Sequence, residues 1–140
     1  MDITQIPFNR LIDLERCETR EEGLFQLAAD PKFTNHIGTV HGAAIFALAE
    51  ASSGEFLIRN LKLDLDTIIP VVRRAEIKFR KPAEGLIYAR GLSNEDDWLT
   101  FAGSYAKRAR AMIGFQIEVL DSNDVVVAAA AFDWFITKRP

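Results

Sequence analysis

Two residues suited to active-site chemistry lie in the stretch NHIGTVHGAAIFALAE, which runs from Asn35 to Glu50. The first is Glu50, a carboxylate within a run rich in Ala, Ile, Phe and Leu, where an unpaired charge is costly. Either Glu50 faces a polar cavity and acts on a ligand, or another residue neutralises it as part of the structure. The residues themselves leave both interpretations open.

The second is Gly42, at the start of the same run. The run has no proline and many good helix formers, which predicts a helix from Gly42 to Ile58. An amide hydrogen in the first turn of a helix has no partner inside it, and a glycine lets a ligand approach closely. Such an amide, together with the helix dipole, stabilises negative charge developing on a carbonyl oxygen. The alternative is a glycine that only begins a tightly packed helix.

Asn35 lies in the loop before this helix. Its side-chain amide either holds a water molecule or the substrate, or ties down its own loop.

The spacing of Gly42 and Glu50 constrains any shared role. They are eight residues apart, which on a helix is about 12 Å along the axis, too far for both to act on one carbonyl group. Two antiparallel copies of the helix about a two-fold axis bring Gly42 of one chain toward Glu50 of the other. If these residues are catalytic, the protein is an obligate homo-oligomer, a dimer or a tetramer.

The elements that position these residues follow from the hydrophobic pattern. A helix that is apolar on nearly every side must be enclosed, and in a chain of this size only a curved sheet is large enough to do so. A second helix is predicted from Asn94 to Arg108, because it has a cap, acids at its start and bases at its end. The predicted extended segments are 3–14, 23–29, 71–79, 86–92, 112–120 and 125–136.

Length and composition exclude several classes of protein. The 140 residues, 49% of them hydrophobic, predict one domain spanning residues 1–140. A net charge of −3 argues against a nucleic-acid binder. The N-terminus lacks a signal pattern and the longest apolar run, Val125 to Phe132, is too short for a membrane span, so a cytoplasmic protein that binds no membrane is expected. Cys17 is the only cysteine, which excludes an internal disulfide and a cysteine-built zinc site, and it is expected to be a packed thiol.

Basic residues are nevertheless clustered. Arg73 and Arg74 begin one cluster, which continues to Lys81, and Lys107 to Arg110 contains another. They are either solvated ends of elements or a binding place for an anionic small molecule.

The Asn35 to Glu50 stretch resembles a known family signature: Asn, five residues, His-Gly, seven mostly small or apolar residues, then an acid. It is similar to the hotdog-fold acyl-CoA thioesterases, especially the phenylacetate-pathway and 4-hydroxybenzoyl-CoA types. The segment EIKFRKPAEG, from Glu76 to Gly85, resembles the strand that follows the helix in that family. The resemblance implies an α+β hotdog fold, a curved antiparallel sheet around a long central helix, and hydrolysis of an acyl-CoA thioester to free acid and CoA without a metal or an organic cofactor.

The resemblance also implies roles for individual residues. The amide of Gly42 polarises the thioester carbonyl, Glu50 is general base or nucleophile, and Asn35 orients the water or the carbonyl. His41 occupies the position of the family's histidine and is expected to shape the loop rather than to act as a base. Arg73 and Arg74 are expected to hold the nucleotide phosphates.

Two positions depart from the family pattern. Ala43 stands where many relatives have a second glycine. Gly54 stands where the 4-hydroxybenzoyl-CoA type has a threonine, so either Ser53 substitutes for that threonine in binding the substrate or the role is absent.

Two other functions remain open on this fold. Hydroxyacyl-CoA hydratases and dehydratases use a histidine beside Pro and Gly residues, which are absent around His36 and His41, so this class ranks below hydrolysis. A non-catalytic acyl-CoA-binding protein is the other alternative, since a fold does not guarantee a function.

Overall fold

The long central helix packs against one face of a six-stranded antiparallel sheet in the computed structural model, which describes all residues from Met1 to Pro140. The spatial order of the strands is β1-β2-β4-β5-β6-β3. The helices are α1 Pro7–Leu11, α2 Gly42–Asn60 and α3 Glu95–Arg108, and the strands are β1 Glu15–Arg16, β2 Phe25–Leu27, β3 Ile68–Phe79, β4 Ile87–Leu92, β5 Arg110–Asp121 and β6 Val126–Lys138. The predicted α+β class is confirmed.

Helix α2 is the centre of the hydrophobic core, as the absence of a polar face predicts. Leu48 and Leu57 are 0% and 1% exposed, and burying each contributes about 1.5–3 kcal/mol. The helix approaches the sheet so closely that a Cβ atom on Gly91 of β4 would lie 2.1 Å from the ring of Phe56. Gly91 therefore provides the space into which this ring packs.

The last two strands form the longest part of the sheet. Along β5 exposed and buried residues alternate, as expected for a strand with one face on the core. Strand β6 pairs with β5 on one side and with β3 on the other. Strand β3 is therefore an edge strand, with one side unpaired along twelve residues.

The second predicted helix is confirmed as α3. The side chain of Asn94 accepts a hydrogen bond from the amide of Asp96 at 2.8 Å, which caps the helix. Trp98 stacks on Phe115 of β5 with ring centroids 5.8 Å apart and also contacts Phe56 of α2. Helix α3 therefore covers the core beside β5.

The N-terminal segment differs from its prediction. Residues 3–14, expected to be extended, instead contain the 3₁₀ helix Ile3–Gln5 and helix α1. The carboxylate of Asp2 caps the first by accepting from the amide of Thr4, and Pro7 occupies the first position of the second, where its missing N–H costs nothing. Ile3 is buried, and this places the segment against α2.

No helix of the protein is long and apolar enough to cross a bilayer. Cys17 is buried and reduced, packed with Tyr88 and Leu120 in a small second cluster, as expected for a structural thiol.

Candidate active site

Helix α2 carries both residues that the sequence singled out. Gly42 is its first residue and Glu50 lies near its middle, with about 12 Å of helix axis between them. The two residues line different cavities. The prediction that one chain cannot bring them to the same carbonyl group agrees with this placement.

The amide of Gly42 is free. No group of the protein accepts a hydrogen bond from it, whereas the next amide, that of Ala43, donates to Nδ1 of His41 at 2.9 Å. The free N–H lies at the positive end of a 19-residue helix, where negative charge is stabilised. Gly42 thus offers one unoccupied donor to a ligand.

His41 is the N-cap of α2. Because Nδ1 accepts a hydrogen bond from the backbone, the imidazole is held by its own helix and its proton lies on Nε2. This geometry fits the expectation that His41 shapes the loop.

The cavity at Gly42 has a volume of about 270 Å³ and is also lined by Asn35, Phe79, Arg80 and Lys81. A Cβ atom on Gly42 would lie 3.3 Å from the ring of Phe79. The cavity therefore combines a free amide donor with two cationic side chains, a composition suited to an anionic ligand.

Asn35 is used mainly within its own loop. Its Nδ2 donates to the hydroxyl of Thr39 at 2.8 Å, and its Oδ1 accepts from the amides of Ile37 and Thr39 at 3.1 Å. Of its polar capacity, one N–H of the side-chain amide is left for a ligand. The structure favours the loop-stabilising interpretation of Asn35.

Glu50 faces a second cavity, of about 230 Å³, which Gly54 also lines. The Glu50 carboxylate makes no hydrogen bond or ion pair, and burial alone raises its pKa above the ordinary value of 4.5. The sequence left two interpretations open, a polar cavity or a neutralising partner, and neither is present. The cavity is mainly apolar, and no side chain pairs with the carboxylate. An unpaired, desolvated carboxylate beside an apolar cavity is a candidate for proton transfer.

Ser53 lies behind this cavity, fully buried. Its hydroxyl donates to the backbone carbonyl of Glu50 at 2.7 Å and accepts from Nε1 of Trp134 at 3.2 Å. The hydroxyl is therefore engaged in holding the Trp134 indole, which lines the cavity together with Gly54.

Arg73 and Arg74 lie at the middle of β3 and line neither cavity. The strand has a bulge at this point. The Arg73 guanidinium lies over the ring of Phe135 at 4.4 Å, and Arg74 forms an exposed ion pair with Glu76 at 3.2 Å.

Residues far apart in sequence complete both cavities. Asn9, Trp134 and Arg139, which the sequence did not single out, join the Glu50 cavity. Arg80 and Lys81, which belong to the basic cluster seen in the sequence, join the Gly42 cavity. Pro7 is a sequence signal for Asn9 alone, because it favours a helix start and so a folded N-terminal segment.

Comparison with known families identifies the chain. Residues 13–136 match the family described as "Domain of unknown function (DUF4442)", and the chain belongs to this family. No curated protein matches it significantly.

Solved structures share the fold. A protein of unknown function from Pseudomonas aeruginosa, described as a probable thioesterase, superposes with a TM-score of 0.81 at 21% identity, covering 98% of this chain and 91% of that one. A thioesterase from Staphylococcus aureus gives 0.67 at 12% identity, with 94% and 99% coverage. A Bacillus halodurans protein solved with CoA gives 0.67 at 17% identity, with 92% and 74% coverage. The fold is that of the hotdog thioesterase structures.

Proposed function

We propose that this protein hydrolyses acyl-CoA thioesters in an active site that two chains share. The observation that carries the proposal is a pair of unused groups on one helix. The Gly42 amide has no acceptor and the Glu50 carboxylate has no partner, and they stand at the distance that requires a second chain.

The edge strand β3 supplies a way to bring the two groups together. Its first residues, Ile68 and Pro70, line the Glu50 cavity, and its last residue, Phe79, lines the Gly42 cavity. An antiparallel pairing of β3 with β3 of a second chain, centred on Arg73 and Arg74, places residue 68 opposite residue 79. The two cavities then meet at both ends of the shared edge, which also loses its unpaired backbone groups.

The chemistry follows from these groups. The Gly42 amide of one chain donates to the thioester oxygen as it gains negative charge. Glu50 of the other chain removes a proton from water, whose oxygen attacks the carbonyl carbon. The C–S bond breaks, and the thiolate of CoA takes the proton back from Glu50. The alternative is direct attack by Glu50, which differs in forming an anhydride with the acyl group.

Support for CoA as the leaving group has two sources. The exposed side chains of Arg80 and Lys81 border the Gly42 cavity and suit an anionic substrate such as a CoA thioester, and a structurally similar protein from Bacillus halodurans was solved with CoA. The fold is likewise shared with a probable thioesterase from Pseudomonas aeruginosa.

A panel of acyl-CoA and aryl-CoA thioesters, assayed by release of free thiol, tests the proposal. Wild type is expected to release CoA from at least one class, and Glu50→Ala to lose that release. If wild type binds the thioesters and releases no thiol from any of them, the protein is an acyl-CoA-binding protein and the proposal is wrong.

A further inference from the structure

The Glu50 cavity has a shape that bears on the substrate. Along α2 it is lined by Glu50, Ala51, Gly54, Leu57 and Ile58, the residues of one helix face. From first to last these span about 12 Å of helix axis. A volume of about 230 Å³ spread along this length makes the cavity elongated, a shape that suits a chain better than a compact group.

The N-terminal segment forms one wall of this channel. Ile3 and Ile6 line it, and Nδ2 of Asn9 donates to the Ile3 carbonyl at 3.0 Å, which fixes the segment in place. Arg139 lines it too, with its guanidinium 3.4 Å from the Ile68 carbonyl of the edge strand. Beyond the Glu50 carboxylate the walls are predominantly apolar, so an apolar group is the ligand that they favour.

Gly54 keeps the channel open where it passes Ile3 and Trp134. A Cβ atom there would lie 3.2 Å from Cδ1 of Ile3 and 3.8 Å from the Trp134 ring. The depth available to a ligand beyond Glu50 therefore depends on Gly54 and Ile3 together.

We infer that this channel receives an unbranched aliphatic acyl chain, and that Gly54 and Ile3 limit its length. An apolar cavity of about 150 Å³ accepts the six carbons of benzene, so one of 230 Å³ accepts about eight to ten carbons. The inference rests on the proposed function, because the thioester carbon must lie at Glu50 for the chain to enter here. The substrate class is thus medium-chain acyl-CoA. Aryl-CoA would be the substrate class if the protein followed the aryl-CoA thioesterases that its sequence motif resembles.

Chain-length profiles of kcat/KM test the inference in both directions. Wild type is expected to prefer acyl groups of about six to ten carbons over shorter, longer and aryl groups. Gly54→Val fills the channel and is expected to lower kcat/KM for the longest good substrate about tenfold or more, shifting the optimum to shorter chains. Ile3→Ala widens the channel beside Gly54 and is expected to shift the optimum the other way. Gly103→Ala is the matched control, since a Cβ atom on that exposed helical glycine meets nothing within 4 Å.

A binding measurement separates this inference from the proposed hydrolysis. Free carboxylic acids of four to sixteen carbons are titrated into wild type, Gly54→Val and Ile3→Ala by calorimetry, after thermal melts establish which variants are folded. An affinity optimum that moves oppositely in the two variants supports the channel even if no thioester is hydrolysed. A preference for aryl acids, or an optimum that stays in place in a folded variant, overturns the inference even if hydrolysis is confirmed.

Discussion

Two glutamates on α2 have opposite surroundings. Glu55 is 7% exposed, and its Oε1 accepts from Nη1 of Arg16 at 3.1 Å and from Nε of Arg59 at 2.9 Å. Glu50, less than two turns earlier, has neither a hydrogen bond nor an ion pair, although burial raises its pKa. A five-residue separation puts the two carboxylates on different sides of the helix.

This difference separates two uses of an acid on the central helix. The Glu55 carboxylate is paired with two arginines, and through Arg16 it connects α2 to the N-terminal region as part of the structure. The charge of Glu50 is stabilised by nothing in the chain, which lowers stability and leaves the carboxylate available to exchange a proton. The interpretation that the sequence left open for Glu50, a salt-bridged structural glutamate, describes Glu55 instead.

The largest expected effect is on turnover. Glu50→Gln keeps the shape of the side chain and removes the base, and is expected to lower kcat by about 10²–10⁴-fold. Glu55→Gln is the matched control, expected to turn over like wild type at temperatures where it is folded. Equal losses of kcat in the two variants would remove the distinction between the two acids.

The pH profile tests the same distinction by a different property. Glu50 must be ionised to act as a base, and burial raises its pKa above 4.5, so kcat/KM is expected to fall on the acid side at a pH above 4.5. The residual activity of Glu50→Gln should lack this limb. A limb that persists in Glu50→Gln would assign the titration to another group.

The free energy of unfolding should change in the opposite order to kcat, with the larger loss in Glu55→Gln. Glu55→Gln is expected to lower the free energy of unfolding by about 1–2 kcal/mol, a modest figure because Arg16 and Arg59 are half exposed and remain solvated. Glu50→Gln is expected to lose no stability at pH 7, because an unpaired, partly buried charge is removed.

Urea unfolding across pH extends this comparison. A raised pKa means that protonated Glu50 favours the folded state, so its contribution is fully present below pH 4.5 and is lost as pH rises through the folded value. The stability of Glu50→Gln relative to wild type should therefore increase over that window. A relative stability that falls with rising pH would show that Glu50 has a partner.

The smallest expected effect concerns the basic residues. Replacing Arg80 and Lys81 with alanine is expected to raise KM about threefold to tenfold with little change in kcat, since they line the Gly42 cavity and would only hold phosphates. The same change at Arg73 and Arg74 is also predicted to raise KM, but less, because these two residues line neither cavity. An unchanged KM in both double variants would mean that the cluster is a solvated part of the strand.

Most of the helices and strands were predictable because the pattern that defines each of them lies within a single segment of the sequence. The caps and charges of α3 and the alternation along β5 are complete within their own segments. Strand β3 was predicted from residue 71, whereas it begins at Ile68 and includes Pro70. In a sequence, a proline argues against the interior of a strand. An edge strand tolerates proline, and only the sheet order reveals that β3 is an edge.

Only the part of the candidate site that lies on α2 was predictable from the sequence. Gly42 and Glu50 lie on one helix, so their separation follows from helix geometry alone. Asn9, Trp134 and Arg139 reach the Glu50 cavity through tertiary packing, and no periodicity in the sequence relates them to it. The same holds for the pairing of Glu55 with Arg16, which are 39 residues apart.

Subunit mixing tests the central claim, that Glu50 of one chain acts with Gly42 of another. Gly42→Pro removes the free N–H at a helix position that proline favours, and the backbone of His41 already has the extended conformation that precedes proline. Gly42→Ala is its control, because it retains the N–H and brings a similar Cβ contact with Phe79.

Inactive Gly42→Pro and inactive Glu50→Ala are unfolded together, refolded as a mixture and assayed. In a shared site each mixed dimer regains one intact pair, so the account predicts recovery of about one quarter of wild-type activity. Mixing that exchanges subunits yet restores no activity would contradict the shared site.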